Sequence, residues 1–350
     1  MNVGVLGGGQ LGRMLALAGY PLGMRFRFMD PSPSAPMRHL AEHVVGAYDD
    51  PDAIRRFSSG LDVVTYEFEN IPVATVRRLA ERVQVYPPPR ALEIAQDRLC
   101  EKKFFAELGI ATAPFAQADN RAELDMAVSR IGLPAVLKTR RLGYDGKGQL
   151  VLRTMQELET ARALMGDSPM ILEGFVGFAR ELAVIAVRGR DGGTACYPLV
   201  ENQHEGGILR TSVAPAPHSA DALQGQAEAI ARKVLAALDY VGVLAIELFD
   251  VAGRLVANEM APRVHNSGHW TIEGAVTSQF ANHLRAIAGL PLGSTTARGR
   301  STLTNLIGTL PDMAEVLKIA GAHIHLYDKE PRLGRKLGHV TVVAATERGE

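Results

Sequence analysis

The sequence predicts an α/β and α+β protein built from more than one domain, and three observations carry that reading. Residues 2 to 7 (NVGVLG) form an apolar run that ends in a glycine turn and feeds an amphipathic helix, the opening of a parallel βαβ unit. Residues 180 to 217 instead alternate with period two between glycine turns, the pattern of an antiparallel sheet. Between them, Lys138 to Gln149 (KTRRLGYDGKGQ) hold Gly143, Gly146 and Gly148 in one short loop. With 350 residues, 47% hydrophobic and 22% charged, the chain can bury two or three cores.

In chain order, the first strand is followed by GGGQLGRMLALAGYPLG, whose Leu11, Met14, Leu15 and Ala18 recur at helical spacing. RFRFMD returns as a second strand ending at Asp30. Gly7, Gly9 and Gly12 satisfy G-x-G-x-x-G, with Asp30 near the place of a ribose-binding acid, so an NAD site is one reading. The same turn sets a helix N-terminus against any phosphate, including that of a nucleotide-like substrate, and both readings stand at this point. DVVTYEF (62 to 68), a helix over ENIPVATVRRLAERV and the short strand VYP complete a doubly wound unit ending near residue 90, where PPPR marks a boundary. Glu67 and Glu69 lie at a strand's carboxyl end, where such sheets bind ligands; solvation at a strand end accounts for them equally.

A helix is expected from Ala91 to Leu108, stopped by Gly109, with Arg98 and Lys102 on one face. PAVLKT, the glycine loop, QLVLRT, a helix from Met155 to Leu164 and MILEGFV then make a small α/β lid. The loop's free N–H groups, with Lys147 inside it and Lys138 before it, can close over phosphate oxygens. No Gly-Lys-Ser/Thr closes the loop, which excludes the Walker pattern, while an ordinary glycine hairpin turn shares its composition.

After the alternating strands and a covering helix (SADALQGQAEAIARKVLAALDYV), GVLAIELFD and RLVANEM form a hairpin. A three-residue loop at Val251 to Gly253 predicts Asp250 opposite Arg254, Glu247 opposite Ala257 and Glu259 opposite Ala245. Glu247 and Glu259 then share a face as a diagonal pair, about 7 to 8 Å apart at Cα. Converging carboxylates repel unless a cation lies between them, and Mg2+ accepts one or two carboxylates together with phosphates. Two solvated glutamates would be the alternative, but apolar neighbours and the dense polar segment APRVHNSGHW speak for a site. A helix near 275 to 288, a GLPLGSTTARG linker, and TNLIGTL, HIHLY and HVTVVAA give a small C-terminal β-rich unit, with Lys329, Arg332, Arg335 and Lys336 clustered between its strands.

Bulk composition excludes several classes. Lys plus Arg and Asp plus Glu both number 38, so no global field draws the chain to nucleic acid or anionic lipid. Cys100 and Cys196 are too few and too far apart for a disulfide framework or cysteine zinc site, which fits a reducing cytoplasm. No leader-like segment opens the sequence and no apolar run approaches the roughly 18 residues of a membrane span, so a cytoplasmic protein is expected.

These motifs, GGGQLGRM, TYEFENIP, AQDRL, LKTRRLGYDGKGQ, PLVENQH, GILRTSVAPA, LDYVGVLAIELF, NEMAPRVHNSGHWTIEGAVTSQF, GLPLGST and GRKLGH, together resemble the N5-carboxyaminoimidazole ribonucleotide synthetases, nearly end to end. The resemblance implies an ATP-grasp fold with a Rossmann-like domain at 1–90, the ATP-grasp domain at 91–293 with its lid at about 111–170, and a C-terminal β-rich domain at 294–350. It implies ATP- and bicarbonate-dependent carboxylation of 5-aminoimidazole ribonucleotide through carboxyphosphate, with Mg2+, in a homodimer. It places Arg98, Lys102, Lys138, the loop Gly143, Tyr144, Asp145, Gly146, Lys147, Gly148 and Gln149, the segment Glu173, Gly174, Phe175 and Val176, and Glu181, His204, Asn258 and Glu259 around the nucleotide. Glu247 and Glu259 would hold the metal. Arg263, His265 and Asn266, with Lys138, would act on bicarbonate and carboxyphosphate. Gln10, Tyr144, Asp145, Arg263, Lys329 and Arg335 would hold the ribonucleotide. Val264 stands where the family usually has proline, Ala179 where it often has glutamate, and the chain is one residue short near 328 to 331. An NAD-dependent oxidoreductase, another ATP-grasp ligase of purine metabolism, and an idle ATP-binding protein of the same fold are the competing readings.

Overall fold

The computed structural model describes residues 1–143, 148–164 and 168–344. In the N-terminal unit, β1 (Asn2–Leu6), β2 (Arg25–Asp30), β3 (Glu42–Val45), β4 (Val63–Tyr66) and β5 (Gln84–Val85) form one parallel sheet in the order β3-β2-β1-β4-β5. Helices α1 (Gln10–Gly19), α2 (Pro51–Ser58) and α3 (Val73–Ala80) connect the strands. As the spacing predicts, Leu11, Met14 and Leu15 of α1 are buried. Residues 31 to 61, unassigned above, supply β3 and α2; Asp50 caps α2 by accepting from the Asp52 N–H, with Pro51 at its first position.

The single helix expected from Ala91 to Leu108 is two, α4 (Pro89–Ala95) and α5 (Arg98–Glu107). Asp97 breaks it, turning its carboxylate back onto the Leu99 and Cys100 N–H groups at 3.0 and 3.4 Å while Arg140 grips it at 2.7 Å. Arg98 therefore opens a helix that starts at the site. The lid follows: β6 (Phe115–Gln117), α6 (Arg121–Ile131), β7 (Ala135–Thr139), β8 (Gln149–Leu152), α7 (Met155–Leu164) and β9 (Met170–Gly174), in the sheet order β6-β9-β7-β8. Its interior, including Leu124, Leu137, Leu158 and Leu172, is separate from the other cores.

The remaining strands are β10 (Arg180–Arg188), β11 (Thr194–Cys196), β12 (Val200–Glu205), β13 (Ile208–Ala214), β14 (Gly242–Val251), β15 (Arg254–Ala261), β16 (Ser301–Ile307), β17 (Ala322–Leu326) and β18 (Lys336–Val343). All join one sheet, β15-β14-β10-β12-β13-β16-β18-β17, with β11 beside β10. The C-terminal strands thus prolong the central sheet, through Val213 opposite Thr302, and do not close a sheet of their own. Helix α8 (Asp221–Ala237) covers one face, burying Leu223, Ala227, Ala231, Val234 and Leu235. The short α9 (Thr271–Gly274) and α10 (Gln279–Ala288) lie on the other side, α10 starting later than expected because Ser278 caps it through the Ala281 N–H. Helix α11 (Met313–Leu317) packs near β17.

One core unites the N-terminal unit with this sheet, for Met14, Leu15, Phe26 and Phe28 cluster with Phe280, Leu284 and Val243. His283 rivets the junction. Burial drives its pKa down to about 3, so the ring is neutral. Nδ1 accepts the Val243 N–H at 3.1 Å, which leaves Nε2 to donate to the Thr65 hydroxyl at 2.9 Å.

Candidate active site

The β14–β15 hairpin turns on two residues, Ala252 at φ 52° and Gly253 at φ 80°, with Val251 opposite Arg254. Leu248 then faces Ala257, a bulge absorbs Asn258, and Glu247 comes directly opposite Glu259. The expected diagonal pair is corrected to a face-to-face one, because a shorter turn and an extra residue shift the register by one and then restore the side. Burial and the opposed Glu259 push Glu247 up to about 7. Burial also works to raise Glu259, but Arg98 at 2.8 Å outweighs it and holds the carboxylate below its ordinary range. The pair combines one ionised group with one poised at neutrality, which suits a cation arriving with its own anionic ligands.

Beside it lies a second charge knot. Glu173, at the end of β9, is 3% exposed and sits 3.0 Å from Lys138 and 3.3 Å from Lys102. Burial disfavours its charge, yet the two ammonium groups win and keep it ionised below the usual carboxylate range. Burial pushes Lys102 down, with Glu173 opposing; its ammonium also donates to the Asn258 carbonyl at 2.6 Å. Glu101, next to it, is raised to about 8 by burial and then by Glu259. Arg98 reaches from Glu259 to the Gly143 carbonyl at 3.3 Å, where the glycine loop begins. Lys138 pairs in register with Gln149 across β7 and β8, and Gly148 takes φ 72° there. Tyr144, Asp145, Gly146 and Lys147 lie outside the described residues.

Along the same face, Glu181 meets Phe249 in register and its carboxylate contacts His204. Burial would lower His204, but the bond to Glu181 and the charge of Glu247 raise it. Phe175 is exposed and Val176 half-buried. The Gly174 and Phe175 N–H groups donate to the carbonyls of Pro114 and Pro134 at 2.8 and 3.1 Å, so both amides are already engaged.

Arg263 is forked onto Glu69, with Nη2 to Oε1 at 2.9 Å and Nε to Oε2. Burial resists Glu69's charge and Arg263 overcomes it, leaving the acid below its ordinary range. His265 stands 3.7 Å from Glu247 and is driven down to about 3 by burial and by Arg263. Its Nδ1 accepts the Ser267 N–H at 3.3 Å, which places the ring proton on Nε2, toward Glu247. Asn202 on β12 donates to the Ser267 hydroxyl at 2.8 Å and is itself held by the Ser212 hydroxyl on β13, which donates to its Oδ1 at 2.7 Å. Asn266 is half-buried, but both its amide oxygen and nitrogen are shielded from solvent and have no partner among the described residues, a condition that costs free energy until a ligand meets it.

At the far end, Lys329 donates to Gln10 at 2.6 Å and lies over the Tyr327 ring at 5.9 Å, uniting two residues 319 positions apart. Arg335 is half-buried and donates to the Glu330 carbonyl at 3.2 Å. The glycine turn departs from either phosphate reading. Glu67 accepts from the Gly9 and Gly12 N–H groups at 2.5 and 2.9 Å, and Asp30 from Gly8 at 2.8 Å. The chain's own carboxylates thus occupy the amides that a dinucleotide or substrate phosphate would need. Glu67 and Glu69, which the sequence marks only by their place at a strand's carboxyl end, both reach this face, whereas nothing in the sequence singles out Glu101, whose carboxyl group meets the Met260 N–H behind Glu259.

Comparison with known proteins agrees along the whole length. Residues 1–96 match the ribonucleotide synthetase preATP-grasp domain, 103–280 the ATP-grasp domain, and 301–349 the phosphoribosylaminoimidazole carboxylase C-terminal domain. The chain is 55% identical over 345 residues to the N5-carboxyaminoimidazole ribonucleotide synthase of Pseudomonas aeruginosa, covering 99% of this chain and 95% of that one. Against the Bacillus subtilis synthase it is 39% identical, covering 99% and 92%. The synthetase structure from Thermus thermophilus superposes with a TM-score of 0.94 at 59% identity, over 98% and 94%. The Aspergillus clavatus enzyme solved with ADP and 5-aminoimidazole ribonucleotide gives 0.91 at 35%, over 99% and 94%.

Proposed function

This chain belongs to the N5-carboxyaminoimidazole ribonucleotide synthetase family of ATP-grasp ligases, and from that premise we propose how its residues divide the work. The reaction is the ATP-dependent carboxylation of 5-aminoimidazole ribonucleotide to its N5-carboxyamino product in purine biosynthesis. The carboxyl source is bicarbonate: its oxygen attacks the γ-phosphorus of ATP, ADP leaves, and carboxyphosphate forms. The ribonucleotide amine then attacks the carboxyl carbon, the C–O bond to phosphate breaks, and the amine proton departs with phosphate.

Phosphoryl transfer asks the protein for positioning and charge more than covalent chemistry. Lys138 would carry positive charge to the transferred group, with Glu173 holding it in line. Arg98 and Lys102 would line the phosphates, Glu181 and His204 the ribose, and Val176 the base. Arg263 keeps a planar fork suited to bicarbonate or carboxyphosphate once Glu69 shares it. His265, neutral and with its proton on Nε2, would donate there, and Asn266 supplies the amide that lacks a partner. Gln10, Lys329 and Arg335 would hold the ribonucleotide, with Glu67 facing its hydroxyl or amine groups sooner than its phosphate. Glu247 and Glu259, with Asn258, fit Mg2+, which when bound supplies charge neutralisation at the phosphates. The observation that carries this division is the direct opposition of Glu247 and Glu259 beside Arg98 and Lys138.

A three-unit division at 1–90, 91–293 and 294–350, a cytoplasmic location and a homodimer complete the proposal. The division is supported by the three family models, which match 1–96, 103–280 and 301–349; no helix among the described residues is long and apolar enough to cross a membrane. The deciding assay measures ADP release: it is expected only with Mg2+, bicarbonate and 5-aminoimidazole ribonucleotide together. ADP release indifferent to bicarbonate would overturn the carboxyl donor, and sedimentation as a monomer would overturn the dimer.

A further inference from the structure

Strand β15 is the edge of the central sheet, so N–H groups on its outer side have no further strand to meet. At two places this edge is satisfied by specific groups. The Ala257 N–H goes to the Ala111 carbonyl at 2.8 Å, and the Met260 N–H goes to the Glu101 carboxylate at 2.6 Å. Between them sit the bulged Asn258, whose carbonyl accepts from Lys102 at 2.6 Å, and Glu259, gripped by Arg98 at 2.8 Å. Arg98, Glu101 and Lys102 all come from the first turns of α5, and Glu101 and Lys102 are 2% and 1% exposed.

We propose that Glu101 is a positioning residue for the metal carboxylate Glu259, fixing the backbone on the C-terminal side of the bulge while Lys102 fixes the other side. A bulge frees one residue from the ladder and lets the strand swing locally. Anchoring Asn258 and Met260 on one helix removes that freedom, so Glu259 is presented opposite Glu247 before nucleotide arrives. The role of Glu101 is mechanical: it requires an acceptor at this reach from α5.

The inference rests on Glu259 being a metal ligand, and the experiment separates the two. E101Q keeps an acceptor oxygen at the same reach on a side chain that cannot ionise; E101D keeps the carboxyl group and loses the reach. Mn2+ binding in the presence of ADP, followed by electron paramagnetic resonance, is measured on both, on wild type and on E259Q, with melting curves and the KM for 5-aminoimidazole ribonucleotide alongside. The expected result is Mn2+ binding about tenfold weaker in E101D, of the order seen when groups supporting metal ligands are lost, wild-type binding in E101Q, and an unchanged KM for the ribonucleotide in both. Weakened binding in folded E101Q, or wild-type binding in folded E101D, overturns the positioning role, and the E101Q arm decides alone should E101D fail to fold. Wild-type Mn2+ binding by E259Q instead sinks the metal assignment itself.

Discussion

Two acidic ends of the cleft solve the same electrostatic problem in opposite ways. At the glycine turn, Glu67 and Asp30 are met by backbone N–H groups of α1 and the preceding loop. At the hairpin, Glu247 and Glu259 face each other with Arg98 on one of them only. The first is closed by the fold; the second leaves Glu247 near neutrality until a cation comes. An acidic cluster with internal donors holds shape, whereas one lacking them waits for a ligand.

The sharpest break of this contrast is Glu259→Gln, expected to lower kcat by about a thousandfold or more, in line with losing a charge-stabilising centre, while the melting curve stays intact. A fully active variant would remove the hairpin from the chemistry. Lys138→Ala comes next, with about a hundredfold loss in kcat/KM from the missing charge at the transferred group; an unchanged kcat would make Lys138 merely Glu173's partner. The third test is pH. Glu247, raised to about 7, must lose its proton to bind a cation, so below pH 7 the Mg2+ needed for half-maximal rate should rise by about tenfold per unit. A flat Mg2+ requirement from pH 8 to 6 would contradict it. Smallest is Glu67→Gln: its amide would set an N–H against one of two backbone donors, destabilising the fold by about 1–3 kcal/mol in denaturant titration. An unaffected stability would mean the glycine turn is not closed as described.

How much of this was legible in the sequence depends on the range of the interactions involved. The parallel opening unit, the two-stranded glycine loop and the presence of both glutamates on one face follow from local periodicity, and the motifs carry the family and its reaction. Their register does not, because it depends on Ala252 adopting φ 52° and on a bulge at Asn258 that no neighbouring residue type announces. The break at Asp97 had a capping residue in plain view, hidden by apolar periodicity running through it. The joining of β13 to β16 pairs residues some ninety positions apart, beyond any local pattern. The same is true of Lys329 with Gln10, and of Glu67 bending back onto α1.

The lid's private core has a mechanical meaning. Because the N-terminal unit and central sheet share one interior, pinned by His283, they make a single anvil. The lid brings its own interior and meets that anvil through polar contacts: Arg140 on Asp97, Lys102 on Glu173, and Arg98 on the Gly143 carbonyl. A unit packed around its own interior is a jaw whose displacement would leave that interior intact.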